Sequence, residues 1–170
     1  MDALHLARRF FGSLRPPKPK LSGEAWLRAL LSATEDALFL AQPPIDRVHS
    51  IECALKARDL LGIQATGSVI AASALHDVGK TDARLGTMGR VTATVIGRVV
   101  SPRVLERWEV GSGLRLRLGI YCAHPQRGAQ LLAAAGSHPT VVAWAHEHHM
   151  ARDEWTLAAS IAEALWQADR

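Results

Sequence analysis

Residues 68–80 have the sequence Ser-Val-Ile-Ala-Ala-Ser-Ala-Leu-His-Asp-Val-Gly-Lys, which points to the fold and to the chemistry together. Residues 68–78 are small and mostly apolar on every side, a composition typical of a helix buried among other helices. His76 and Asp77 then place two ionisable groups at the end of that helix, where burial is costly unless a partner compensates them. A metal ion is one such partner, and a capping or buried hydrogen-bonding role is the alternative.

Helical patterns continue on both sides of this stretch. Apolar residues recur at helical spacing over 24–41, and Pro43-Pro44 ends that segment. Further helices are predicted from an N-cap at Asp46 to Gly62, over 87–100, over 114–122, from Pro125 to Gly136, from Ser137 or Pro139 to Met150, and over 156–169. For residues 91–95 a strand is an equal alternative. The chain is therefore predicted to be all-α, with one helical domain over 24–170.

The first 23 residues form a separate segment. It begins with apolar residues at helical spacing, which are Leu4, Leu6, Phe10, Phe11 and Leu14. A proline-rich linker, which is stiff and extended, follows them. Docking of this amphipathic piece on the body of the protein is favoured over contact with a membrane, because it is short and weakly charged.

Composition excludes several classes of protein. With 170 residues, of which 48% are hydrophobic and 21% charged, the chain suits one globular domain with its own core. No stretch reaches the roughly 20 apolar residues that span a bilayer, so no transmembrane segment is predicted. The N-terminus carries no apolar signal-peptide core, and Cys53 and Cys122 give no disulfide framework, so a cytoplasmic location is expected.

The net charge of +4 comes from 20 basic and 16 acidic residues, and most of the basic residues are arginines. The planar guanidinium group suits phosphate, so the arginine excess over residues 81–127 fits a small anionic phosphate substrate such as a nucleotide. A solvated helical surface explains the same excess. Because no aromatic residues interleave with the arginines and no long basic run occurs, nucleic acid is the less favoured partner.

Histidine placement carries most of the functional information. Three of the candidate ligands have a structural alternative: a packed core residue for His49, a plain helix cap for His124 and a frayed chain end for Asp169. A set of imidazole nitrogens and carboxylate oxygens suits iron, manganese, zinc, nickel or cobalt rather than calcium. The candidates, beside the His76-Asp77 pair, are His49, His124, His146, His148, His149 and Asp169.

The order His … His-Asp … His-Pro-x-x-Gly … His-His … Asp resembles the HD superfamily of metal-dependent phosphohydrolases. The Gly-Lys after the His-Asp pair and the His-Pro-x-x-Gly segment look most like the HDIG and HD-GYP branch. The Gly-Tyr-Pro signature of that branch is missing, since residues 150–155 are Met-Ala-Arg-Asp-Glu-Trp, and this weakens cyclic di-GMP as the substrate. The motifs cover about residues 45–170 and begin at His49, His76, His124, His148 and Asp169.

The resemblance implies an HD-type helical bundle that holds divalent transition metal, in the form of two ions. His49, His76, Asp77 and Asp169 would hold the first ion, Asp77 would bridge, and His124, His148 and His149 would complete the second site. Asp77 and Lys80 would be catalytic, and Arg47 is a weaker candidate for orienting phosphate. The implied reaction is hydrolysis of a phosphodiester or phosphomonoester, of a nucleotide or cyclic dinucleotide, by a metal-bound hydroxide. The alternative is an HD-fold ligand-binding or signalling module with weak or no turnover.

Overall fold

A computed structural model describes residues 21–170, and every regular element in that range is helical, as the sequence predicts. Three short 3₁₀ helices over Gly62–Gln64, Val78–Ala83 and Arg152–Glu154 join the α-helices. The α-helices are α1 (Leu21–Arg28), α2 (Ala33–Ala41), α3 (Pro44–Leu61), α4 (Gly67–Leu75), α5 (Thr87–Val99), α6 (Pro102–Glu109), α7 (Gly113–Cys122), α8 (His124–Ala134), α9 (Pro139–Glu147) and α10 (Ala159–Ala168).

The amphipathic segment predicted over residues 1–23 lies, as far as residue 20, outside the described residues. From residue 21 onward, no helix is both long enough and apolar enough to cross a membrane.

Two predicted helix boundaries are wrong at the N-terminal end. The segment predicted as one helix over 24–41 is two helices, because Ser32 starts α2 with a capping box: its hydroxyl accepts from the Glu35 N–H, and the Glu35 carboxylate accepts from the Ser32 N–H. Helix α3 begins at Pro44 rather than after a cap at Asp46. Asp46 lies in the first turn, where its carboxylate accepts a hydrogen bond from Arg90.

The middle of the chain is helical throughout. Residues 91–95 lie within α5, so the strand alternative is wrong. The Thr94 hydroxyl donates a hydrogen bond to the Arg90 carbonyl within the same helix. Helix α6, which no periodicity predicted, begins with Pro102 at a first-turn position, where the missing N–H is not needed.

Helix α4 lies in the centre of the main core. Val69 to Leu75 are all buried, as the small apolar composition predicts, and α3 and α9 pack against α4. The largest side chains of this core include Trp144, Phe39 and Leu27. Because α4 is central, its C-terminal end carries His76 and Asp77 into the interior of the protein rather than to its surface.

Gly79, in the segment that follows Asp77, packs closely against the backbone of α8. A Cβ atom on Gly79 would lie 2.1 Å from the carbonyl oxygen of His124 and 2.6 Å from the amide nitrogen of Gly128. Both of these atoms belong to the backbone of α8, so any residue larger than glycine would force α8 away. The contact thereby sets the position of His124 relative to Asp77.

Candidate metal centre

All seven ligand residues predicted from the sequence come together at one place, where the ends of four helices meet the side of α3. Ligand atoms within each of three groups lie within 4.8 Å of one another: His124, His148 and His149; His49, His76 and Asp77; and His49, Cys53 and Asp169. We name the first group the three-histidine side. We name His49, Cys53, His76 and Asp169 the mixed side. Asp77 lies between the two sides, and the roles of all these residues as ligands stay predictions.

The end of α9 is held in place by its own buried carboxylate. Glu147 accepts from the Thr156 N–H at 2.8 Å and from the Thr156 hydroxyl at 2.5 Å, while the Trp155 indole N–H donates to the Glu147 carbonyl at 3.2 Å. The chain after α9 is therefore folded back onto the helix end. This holds His148 and His149, which follow directly, in a fixed position.

Backbone carbonyls orient three of the imidazole rings. The Nδ1 atom of His76 lies 2.8 Å from the Ser73 carbonyl oxygen, and His124 and His148 make the same contact with the residue three positions earlier, at 2.7 and 2.9 Å. Because a carbonyl can only accept, Nδ1 carries the hydrogen and Nε2 presents a lone pair toward the cluster. This is the arrangement by which proteins commonly orient metal-binding histidines.

The two oxygens of Asp77 face different sides. Oδ1 lies 3.3 Å from His124 Nε2 and 3.5 Å from His148 Nε2. Oδ2 lies 3.6 Å from His76 Nε2 and accepts a hydrogen bond from Lys80 Nζ at 2.5 Å. The carboxylate is thus positioned to serve both sides at once.

The contacts within the cluster fit a cation. His76 Nε2 and Asp77 Oδ1 are buried and have no hydrogen-bond partner within the described range, residues 21–170. His124 Nε2 lies 3.3 Å from His148 Nε2, so two lone pairs face each other. Buried acceptors that face acceptors are unfavourable unless a proton or a metal ion lies between them. The nitrogen and oxygen donors present suit a divalent transition metal.

Asp169 makes several contacts with the cluster and with α10. Its Oδ1 atom lies 2.9 Å from His49 Nε2 and 3.5 Å from His76 Nε2. The backbone N–H of Asp169 continues the α10 pattern by donating to the Leu165 carbonyl, and the Arg170 guanidinium lies 3.4 Å from the centre of the Trp166 ring. The backbone hydrogen bonds of α10 thus extend to Asp169.

The protonation states of the histidines differ between the sides, and those of His124 and His148 suit metal binding. Burial lowers the pKa of His124 to about 4, and Lys80 acts in the same direction; burial also lowers the pKa of His148. Burial opposes protonation of His76 too, but the carboxylates of Asp77 and Asp169 outweigh it and raise the His76 pKa. At neutral pH, His124 and His148 are therefore neutral and able to bind a metal ion.

Both carboxylates remain ionised. Burial opposes the ionisation of Asp77, yet Lys80 and the neighbouring histidines hold its pKa well below the usual range. Asp169 shows the same balance, with His49 and His76 keeping its pKa low against the effect of burial. Two negative charges are thus available to an ion in the cluster.

Other residues weighed in the sequence lie elsewhere. His146 is exposed and belongs to none of the ligand groups. It lies on α9, the helix whose C-terminal end is followed by His148. The Arg47 guanidinium faces Glu24 of α1, at 3.8 Å. His138, which was not singled out from the sequence, caps α9 by accepting from the Thr140 N–H.

Two residues near the cluster were not singled out from the sequence. Cys53 lies one helical turn after His49, and this spacing is a signal that could have revealed it. The ring of Tyr121 lies 5.8 Å from that of His124 and 5.6 Å from Lys80 Nζ, measured to ring centres. No local pattern predicts that approach, which depends on how α7 meets the 3₁₀ helix after Asp77.

The chain matches no protein family model, no curated protein and no solved structure. The chemistry of the site therefore rests on its own residues, distances and charges.

Proposed function

We propose that this chain is a metal-dependent phosphohydrolase of the HD type. Its substrate is a phosphodiester or phosphomonoester, of a nucleotide or a cyclic dinucleotide. The observation that carries the proposal is the buried Asp77 carboxylate, which turns one oxygen toward each of two groups of imidazole lone pairs. Such an arrangement is typical of a pair of divalent ions that share one carboxylate.

Each side of the cluster has a distinct part in this proposal. His124, His148 and His149 bind one iron, manganese, zinc, nickel or cobalt ion. The other ion is bound by His49, His76 and Asp169, and Asp77 is shared by both. When bound, such a pair stabilises the charge on phosphate oxygens and lowers the pKa of a water molecule. The carbonyl contacts of His76, His124 and His148 hold their rings in the binding orientation.

Lys80 is the residue proposed to contact the phosphate. Its side chain is 12% exposed, and its ammonium group lies 2.5 Å from Asp77 Oδ2. A positive charge is therefore fixed next to the two proposed metal ions. An ammonium at this position stabilises negative charge as it accumulates on the transferring phosphoryl group. The proton for the leaving oxygen comes from Lys80 or from water.

Metal content and hydrolysis, measured on the same untagged preparation, test the proposal. We expect about two equivalents of transition metal, and hydrolysis of bis(p-nitrophenyl) phosphate or of nucleotides that stops when the metal is removed with a chelator. His148→Ala is expected to lose metal and turnover together. His146→Ala is the matched control at the same helix end, and it should keep both, because His146 is exposed and outside the cluster.

Lys80→Ala separates metal binding from catalysis. We expect it to keep both ions and to lose turnover by about 100-fold or more, the cost of removing a group that stabilises transition-state charge. Hydrolysis that continues unchanged after the metal is stripped would contradict the proposal. Full metal content without hydrolysis of any phosphate ester would instead favour the ligand-binding module.

A further inference from the structure

The mixed side contains a thiol that the HD motifs do not include. Cys53 lies four residues after His49 on α3, so the two side chains share a face of the helix. Cys53 is 1% exposed, and its Sγ atom lies 3.5 Å from His49 Nε2 and 3.6 Å from His49 Nδ1. The ligand atoms of His49, Cys53 and Asp169 all lie within 4.8 Å of one another.

The distance between Sγ and Nε2 is the one expected between ligands of one ion. Because Sγ is almost equally close to Nδ1, the thiol lies beside the ring, and the His49 ring must turn for one ion to bind both residues. Typical zinc bonds of about 2.0 Å to nitrogen and about 2.3 Å to sulfur place the two ligand atoms about 3.5 Å apart in a tetrahedral site. The Sγ to Nε2 distance is 3.5 Å. Independently, the buried His76 Nε2 atom has no hydrogen-bond partner among the residues that the structure describes, and it lies 3.5 Å from Asp169 Oδ1, a member of the same ligand group as Cys53.

We propose that Cys53 is a ligand of the metal ion on the mixed side, an inference that rests on the metal centre of the proposed function. On binding, the S–H bond breaks, a sulfur–metal bond forms and the proton passes to solvent, while the ion stays divalent. A thiolate is a soft ligand, so this side would select zinc, iron or cobalt over manganese. The three-histidine side, which has no sulfur, would discriminate less.

Cobalt substitution gives the test, because Co²⁺ bound to a thiolate has a charge-transfer absorption in the near ultraviolet that nitrogen and oxygen ligands do not give. The metal-stripped full-length protein is titrated with Co²⁺ and its absorption spectrum is recorded. We expect the wild type to show this band together with the weaker visible bands of bound cobalt. Cys53→Ser should keep the visible bands and lose the near-ultraviolet band.

Cys122→Ser is the matched control, because the Cys122 thiol lies 3.6 Å from the Ala93 carbonyl oxygen, in none of the ligand groups, and the variant should keep the band. Cys53→Ala serves as a second variant, since Cys53→Ser puts a hydroxyl in a buried position and could fold poorly. Visible cobalt bands without a charge-transfer band in the wild type would overturn the inference and leave the metal centre standing. No cobalt absorption at all in the wild type would overturn both.

Metal affinity gives a second readout. We expect Cys53→Ser to weaken Zn²⁺ binding on the mixed side by about 10- to 100-fold, and Mn²⁺ binding by much less, because manganese gains little from sulfur. Equal weakening for both ions would mean that Cys53 acts through packing or through a thiol–imidazole hydrogen bond, and would overturn its role as a ligand.

Discussion

The two sides of the candidate metal centre share Asp77 but differ in charge. The three-histidine side consists of neutral imidazoles, whereas the mixed side adds the Asp169 carboxylate and the Cys53 thiol. His76 and His124 show the consequence most directly. They are 2% and 5% exposed, yet the pKa of His76 is raised and that of His124 is lowered.

This contrast shows that neighbouring charges, and not burial alone, decide the protonation state of a buried histidine. Burial lowers the pKa of both rings, but only His76 lies close to two carboxylates. An ion on the mixed side would be neutralised largely by its ligands. An ion on the three-histidine side would keep more of its positive charge, and we expect that ion to be the one that attracts phosphate most strongly.

The largest effect is expected for Asp77→Asn, because this residue is shared by both sides. The amide keeps the shape of the side chain but removes the charge, so affinity for both ions should fall by at least about 100-fold, and hydrolysis should fall with it. Metal content by elemental analysis measures the effect. Asp82→Asn, which changes an exposed carboxylate on the 3₁₀ helix that follows Asp77, is the control that should lose neither ion. If one ion stays bound at wild-type affinity, Asp77 serves one side only.

Gly79→Ala should damage the two sides unequally. The added Cβ would collide with the backbone of α8, which carries His124, so α8 must move and the three-histidine side should lose its ion. The mixed side does not depend on α8 and should keep its ion. We expect the free energy of unfolding to fall by about 1–3 kcal/mol, the usual cost of overpacking.

Urea unfolding and metal content measure both consequences of Gly79→Ala. The control is Gly67→Ala at the start of α4, where a Cβ meets nothing within 4 Å, and it should be neutral or slightly stabilising. Loss of both ions in Gly79→Ala would show that the two sides are not independent.

The sequence predicted the helical architecture, and it singled out candidate ligands that the fold brings close together, although their role as ligands stays a prediction. Burial of α4 followed from its composition, because a helix that is apolar on all sides has no face for solvent. The break at Ser32 was missed, although its capping box is visible as Ser-x-x-Glu, since the apolar spacing continues across it. The periodicity of apolar residues shows which face of a helix is buried, but it locates the ends of the helix poorly.

The contrast between the two sides could not be predicted from motifs. The motif order groups His76 with Asp77 but says nothing of the distances from Asp169 or from Cys53, which depend on how α10 and α3 pack. The close approach of Gly79 to α8 likewise joins two segments that are far apart in sequence. Opposite pKa shifts arise from such tertiary distances, and so they become visible only in the structure.

The contrast in pKa predicts a pH effect on the metal-stripped protein. Because the folded-state pKa of His124 is about 4, below its value of 6.5 in the unfolded chain, the unfolded chain binds more protons between these pH values. The stability that His124 contributes is present above pH 6.5 and should fall by about 2 kcal/mol by pH 5. His148 shifts in the same direction, and His76 in the opposite one. Groups that face His124 are Asp77, Lys80, Tyr121, His148 and His149.

Urea unfolding of the metal-stripped wild type and of His124→Gln at pH 7 and pH 5 checks this sign. The variant should lose less stability on acidification than the wild type. An equal loss in the two proteins would show that other groups cause the acid effect, and a gain in wild-type stability at pH 5 would show that the raised pKa of His76 dominates.

The smallest effect is expected at Lys56, which ties the chain end to the mixed side. Its ammonium group donates to the Ala168 carbonyl at 3.4 Å, so it joins α3 to the last turn of α10, directly before Asp169. Lys56→Ala removes this bond and a favourable charge at a helix C-terminus, and should cost about 0.5–1 kcal/mol of stability. Zn²⁺ affinity of the mixed side should fall by about twofold to fivefold, because Asp169 is held less firmly, while the three-histidine side is unaffected. Lys56→Arg, which can donate to the same carbonyl, should restore both values. If Lys56→Ala lowers the metal affinity of both sides equally, the end of α10 supports the whole centre. The two sides would then not be independent at Asp169.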